Sequence, residues 1–146
     1  RGDPQLGFVA DDLDVNTELL RTLLGSGYIP VVSPLALDAN QPSQILNVNA
    51  DTAAGSIAAA MGASHLLYLT DVKGVLDSRK RVIDRIGFQE VRSLVASGVV
   101  DGGMIPKLES CAIACAHGVI SHIIDGTQPR AIIDCLDNND IGTTVS

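Results

Sequence analysis

Tryptophan is absent from this chain, and tyrosine and phenylalanine number two each, so aromatic residues make up only 3% of its 146 positions. A core without large rings must be built from Ala, Val, Ile and Leu, and the 46% apolar content is enough for one. Basic residues are also scarce: ten Lys and Arg against seventeen Asp and Glu leave a net charge of −7. Such a chain lacks the positive footprint of a nucleic-acid binder. A small phosphate is not excluded, because local backbone N–H groups can hold it against the global field. Three cysteines without paired spacing exclude a disulfide scaffold and suit a reducing compartment. No apolar run approaches the ~18 residues of a membrane span. No leader peptide is recognisable, so the expected location is cytoplasmic, or an organelle matrix in a eukaryote.

What is present alternates in type. A loop or a broken edge strand is expected around Leu6–Val9, then a helix capped by Asp14 or Asn16 with Leu19, Leu20, Leu23 and Leu24 as its apolar stripe. Tyr28–Ser33 reads as a short buried strand, Leu37–Ser43 as a turn or hairpin tip, and Ile45–Val48 as another strand. Asn49 or Asp51 opens an Ala-rich helix that Gly62 ends. Leu66–Thr70 is continuously apolar, as in a strand covered on both faces. Helices are expected over 88–96, 104–116 and 128–136, with strands at Val119–Asp125 and near Val145. This is an α/β pattern, expected as one domain with a mainly parallel central sheet and helices on both faces.

In open α/β sheets, ligands bind beyond the carboxyl ends of the strands. Asn47-Val48-Asn49-Ala50-Asp51 stands at one such junction, with two amides and a carboxylate. Amides suit a substrate that offers a carboxylate or an amide, and Asp51 at a helix start stays ionised and can orient a lysine. Plain capping explains one of these residues but not Asn47. Thr70–Leu76 follows a buried strand, and Asp71 with Gly74 suits a nucleotide, though an Asp that only caps a turn fits as well. Gly102-Gly103 leads into a helix, forming an anion site with Lys107 one turn in. A solvated lysine after an ordinary glycine loop is the bland alternative, and the Walker spacing is absent. Cys111 and Cys115 share a helix face near His117, where core packing outweighs a zinc site. His65 and His122 read as structural histidines beside strands.

Together these segments resemble the amino-acid kinase family, and within it the branch that acts on N-acetyl-L-glutamate. The matching stretches are Gly27–Pro34, Leu46–Thr52, Leu69–Leu76 and Gly102–Lys107, with Ile123–Gly126 and Ile141–Thr143. The resemblance implies a carbamate kinase-like α/β fold. It implies transfer of the γ-phosphoryl of ATP to a side-chain carboxylate, without a covalent enzyme intermediate, as a step of arginine biosynthesis. Lys107 would stabilise the transferring phosphoryl, Asp51 would organise the catalytic lysines, and Asn47 and Asn49 would meet the amino-acid substrate. Thr70, Asp71, Val72, Gly74, Val75 and Leu76, with Val99, Val100, Asp101, Gly103 and Met104, would line the ATP site. Mg²⁺ would ride on the nucleotide's phosphates, with no protein ligand expected.

Family members are about twice this long. The chain therefore resembles the C-terminal, nucleotide-binding half, expected to be inactive alone. The other half would supply a first glycine-rich loop, a second lysine, most of the substrate lid and the contacts of a homo-oligomer. Two other readings stand: a sister kinase acting on another amino-acid carboxylate, and a silent nucleotide- or effector-binding domain. A pure regulator need not keep a phosphoryl-stabilising lysine, so Lys107 with Asp51 and Asn47 favours a working kinase.

Overall fold

The computed structural model describes Val9, Ala10, and residues 13–137 and 141–146. Apart from Val9, the loop or edge strand expected around Leu6–Val9 lies outside these residues. The described strands form two sheets. In the first, β1 (Val9–Ala10) runs parallel to β3 (Gln41–Val48), and β2 (Leu35–Asp38) pairs antiparallel on the other side of β3. In the second, the order is β4 (His65–Thr70), β6 (Ile120–Asp125), β7 (Thr143–Val145), β5 (Arg85–Ile86). Here β4 and β6 are parallel over six residues, β7 runs antiparallel to β6, and β5 parallel to β7. The α/β class stands and parallel pairs are in the majority, but the described strands are split between two mixed sheets.

The second sheet carries the core. Leu66, Tyr68 and Ile123 project to one face and pack under α4 (Met104–Cys115), where Leu108 and Cys111 are fully buried. Leu67 and Ile124 project to the other face, against Ala131 and Cys135 of α5 (Ala131–Leu136). Cover on both faces holds over Leu66–Tyr68, whereas Leu69 is 51% exposed. Helix α2 (Ala50–Met61) packs along α4 through small residues, with Ala58 against Ala114. Gly62 closes α2 in the left-handed conformation, as expected of a C-terminal glycine. The expected helix over 88–96 is a 3₁₀ turn at Phe88–Glu90 followed by α3 (Val91–Ala96).

One expected strand does not form, and one expected helix forms with its apolar stripe largely uncovered. Tyr28–Ser33 is not a strand, and Ile29 and Val31 are 89% and 97% exposed. Helix α1 (Glu18–Gly25) forms, with Asn16 accepting the Glu18 N–H, but no leucine of its stripe is fully buried, and Leu19 and Leu24 are exposed. Leu35, Leu37 and Ile45 on the adjoining hairpin are exposed too. A strand requires a hydrogen-bonding neighbour and an apolar stripe requires a surface. The described residues supply neither to this region.

Candidate active site

The junction between β3 and α2 resolves the capping question. Asn49 is the cap: its Oδ1 accepts the N–H groups of Asp51 at 2.9 Å and Thr52 at 3.1 Å. Its oxygen is therefore committed, and only its NH₂ remains to donate to a ligand. Asn47 is exposed on β3, in register between Val9 and Leu35. Asp51, relieved of capping, sends its Oδ2 to Lys107 Nζ at 3.1 Å, with both side chains mostly covered. Lys107 stands in the first turns of α4, so the N-terminal ends of two helices meet at this ion pair. Two helix dipoles thus add positive potential beside the ammonium.

The glycine pair behaves as expected only in part. Gly102 takes φ +52°, a left-handed conformation, and Gly103 is the residue before α4. The N–H groups of Met104 and Ile105 turn to the carbonyls of Asp101 and Gly102 at 3.2 and 3.3 Å. An anion at this loop would therefore meet the glycine N–H groups rather than those of Met104 and Ile105.

The residues expected around ATP divide into two groups. Asp71, Val72, Leu76, Val99, Asp101 and Gly103 lie at the surface, and Met104 is half-buried. Val75 and Val100 point into the core and can offer a ligand only their backbone. Thr70 turns its hydroxyl to the carbonyls of Val72 and Ile124 and accepts the Val72 N–H. Gly74 is required by packing: at φ +152°, a Cβ would lie 2.7 Å from Thr143 Oγ1. That hydroxyl accepts the Val75 N–H at 2.8 Å, tying the loop to β7. The cleft between α3 and α4, lined by Phe88, Val91, Arg92 and Ile113, is not lined by either residue of the ion pair.

Sequence reasoning missed three residues beneath the site. Tyr68 on β4 and Ser110 on α4 both reach the main-chain carbonyl of Asp51, at 2.9 and 2.5 Å, and touch each other at 2.5 Å. Gly55 permits the approach, because a Cβ there would overlap the Ser110 hydroxyl. The available signals were a tyrosine inside a leucine run, a serine on a buried helix face and a glycine inside an alanine helix. Burial pushes the Tyr68 phenol well above its ordinary range, so it stays neutral.

The histidines are not solitary. Parallel register brings His65 Nδ1 within 3.1 Å of His122 Nε2, and Thr144 Oγ1 lies 3.3 Å from the other His122 nitrogen. Desolvation first, and His65 second, lower the His122 pKa from 6.5. Cys111 is packed in the core, its thiol pushed up to about 12 chiefly by burial. Cys115 Sγ meets the Val145 carbonyl in the half-buried interior, whereas His117 is exposed and lies against the Ile113 carbonyl one turn earlier.

Residues 1–125 match the amino acid kinase family. The chain belongs to that family. As an amino acid kinase, it is 46% identical over 145 residues to the acetylglutamate kinase of Gloeobacter violaceus, a match covering 96% of this chain and 47% of that one. The smu.665 structure from Streptococcus mutans superposes with a TM-score of 0.83 at 30% identity, covering 100% of this chain and 54% of that one. The Giardia lamblia carbamate kinase bound to AMP-PNP shares the fold, at TM-score 0.65 and 22% identity, covering 87% and 43%. The chain spans about half the length of the curated relatives it matches. No helix of the described residues is long and apolar enough to cross a membrane.

Proposed function

We propose that this chain is the C-terminal, nucleotide-binding half of an enzyme that phosphorylates N-acetyl-L-glutamate. The γ-phosphoryl of ATP passes to the side-chain carboxylate, giving N-acetyl-L-glutamyl 5-phosphate and ADP, a step of arginine biosynthesis. The observation that carries the reading is the Asp51–Lys107 pair at the meeting point of two helix starts. Likeness to acetylglutamate kinases over nearly the whole chain supports the choice of substrate.

A carboxylate attacking a phosphoryl group brings negative charge onto negative charge, so the enzyme's task is positioning and charge neutralisation. Lys107 neutralises the transferring group, and Asp51 holds the ammonium in place until it does so. Asn47 and the Asn49 NH₂ face the substrate's carboxylate and amide. The surface residues of the 70–76 and 99–104 loops take the nucleotide. Mg²⁺, bound to the ATP phosphates, supplies further neutralisation.

The exposed apolar region of α1, Tyr28–Ser33 and the β2–β3 hairpin is the seat of the other half. That half brings the remaining phosphate contacts, the substrate lid and the contacts of a homo-oligomer, and the whole works in the cytoplasm or an organelle matrix. The isolated chain, with part of the charge clamp missing, does not turn over.

The test is ADP release by the whole protein with Mg-ATP and a panel of N-acetyl-L-glutamate, glutamate, aspartate and UMP. Turnover confined to acetylglutamate, and lost in Lys107→Ala, is expected. Turnover with another acceptor moves the substrate and keeps the chemistry. Tight ATP binding without turnover on any acceptor makes the chain a nucleotide-binding module.

A further inference from the structure

We propose that Tyr68 and Ser110 are positioning residues that set the Asp51–Lys107 pair through the Asp51 main chain. The inference rests on reading that pair as the phosphoryl-handling centre. Two hydroxyl protons serve the triangle formed by Tyr68 Oη, Ser110 Oγ and the Asp51 carbonyl oxygen. With both protons used inside the triangle, every arrangement leaves at least one hydroxyl donating to that carbonyl. The carbonyl belongs to the first turn of α2, where the helix itself supplies one donor, four residues on. Its second lone pair is taken from outside the helix, by a strand and a neighbouring helix.

The geometry on α4 makes this a two-point clamp. Lys107 and Ser110 stand three apart, on one face of α4. Lys107 grips the carboxylate of Asp51, and Ser110 grips its carbonyl. Gly55 lets the two helix backbones approach closely enough for the second grip. Tyr68, 6% exposed and rooted in strand β4 at the edge of the second sheet, references both helices to the sheet. The peptide plane at Asp51 determines where its Cα–Cβ bond points, and so where Oδ2 holds the ammonium. Misplacing a reacting group by about an ångström can cost a hundredfold in rate. Burial keeps the phenol in its donating form.

The experiment uses Tyr68→Phe and Ser110→Ala in the whole protein, each removing one hydroxyl and little volume. In each, kcat on acetylglutamate is expected to fall about three- to thirtyfold, the reach of one or two hydrogen bonds. ATP affinity by calorimetry is expected to stay within about twofold, giving a kcat-against-KM split. The double variant loses less than the product of the two, since both act on one carbonyl. Independently of activity, the Lys107 ammonium resonance in NMR is expected to exchange faster with water in both variants. Wild-type kcat and a wild-type Lys107 resonance in both variants would overturn the proposal. So would a fall in kcat matched by equal loss of ATP affinity or of folded protein, which makes the hydroxyls structural only. If the parent protein turns over no acceptor, the functional reading fails instead, and the Lys107 resonance still decides the positioning claim.

Discussion

At the scale of single residues, the site rests on a division of labour between Asn49 and Asp51. Both residue types can cap a helix, and the sequence leaves the choice open. The backbone at Asn49 is extended and its side chain reaches the N–H groups of residues 51 and 52, which frees Asp51 for Lys107. Asn49→Ala should cost about 1 kcal/mol of stability, the usual worth of a cap, read as a lower melting temperature. Lys107→Ala should reduce turnover of the whole enzyme at least a hundredfold, the scale of losing one charge-stabilising group. Its fold should persist, because Asp51 keeps the favourable dipole of α2.

His122 supplies a pH prediction at the same scale. Its folded pKa lies below 6.5 because burial, and then His65, disfavour the charged ring. As pH falls past 6.5, the unfolded chain takes up the proton before the folded one. Stability is therefore complete above 6.5 and is lost as pH drops toward the folded value. Melting curves between pH 8 and pH 5 should show this decline, and His122→Gln should flatten it.

At the scale of elements, the α2–α4 contact is governed by absent side chains. Glycine inside a helix ordinarily costs about 0.5–1 kcal/mol relative to alanine. Gly55→Ala should nevertheless destabilise, because the new methyl overlaps the Ser110 hydroxyl and crowds its carbonyl. Overpacking of this kind costs about 1–3 kcal/mol, more than the helix gains. Chemical denaturation would measure the sign. A stabilised Gly55→Ala protein would mean that Ser110 does not sit against α2. The elements themselves were largely readable where local chemistry decides: α2 with its asparagine cap and glycine stop, α4 after its glycine pair, and the apolar strand β4. Of the β2–β3 hairpin, the tip and the Ile45–Val48 end of β3 were readable, but β2 was not. Strand β2 begins after Pro34, beyond the Tyr28–Ser33 stretch expected as a strand.

At the scale of the molecule, the second sheet with α2, α4 and α5 carries a packed core, whereas α1 and residues 28–33 carry apolar surface without cover. Surface substitutions far from buried contacts change stability by less than about 0.5 kcal/mol. Val31→Lys should therefore leave the melting temperature of the 146-residue chain unchanged. In the whole protein, where the proposal has the other half covering Val31, the same substitution should destabilise strongly, as burial of an unpaired charge does. Equal effects in the two settings would place the other half elsewhere.

The sequence by itself determined what depends on neighbours within a few residues. That includes the α/β alternation, the helix ends, the aliphatic core and the placing of polar residues past strand ends. It also singled out Asp51 and Lys107, which the structure brings together as an ion pair. Only the tertiary structure decided what depends on residues far apart in the chain. It joined Asp51 to Lys107 across 56 positions and Tyr68 to Ser110 across 42, and it turned Val75 and Val100 inward. It also gave Tyr28–Ser33 no strand partner among the described residues. The physical reason is that capping and turn propensities are local, whereas a hydrogen-bond partner or a buried face is conferred by whatever the rest of the chain brings alongside.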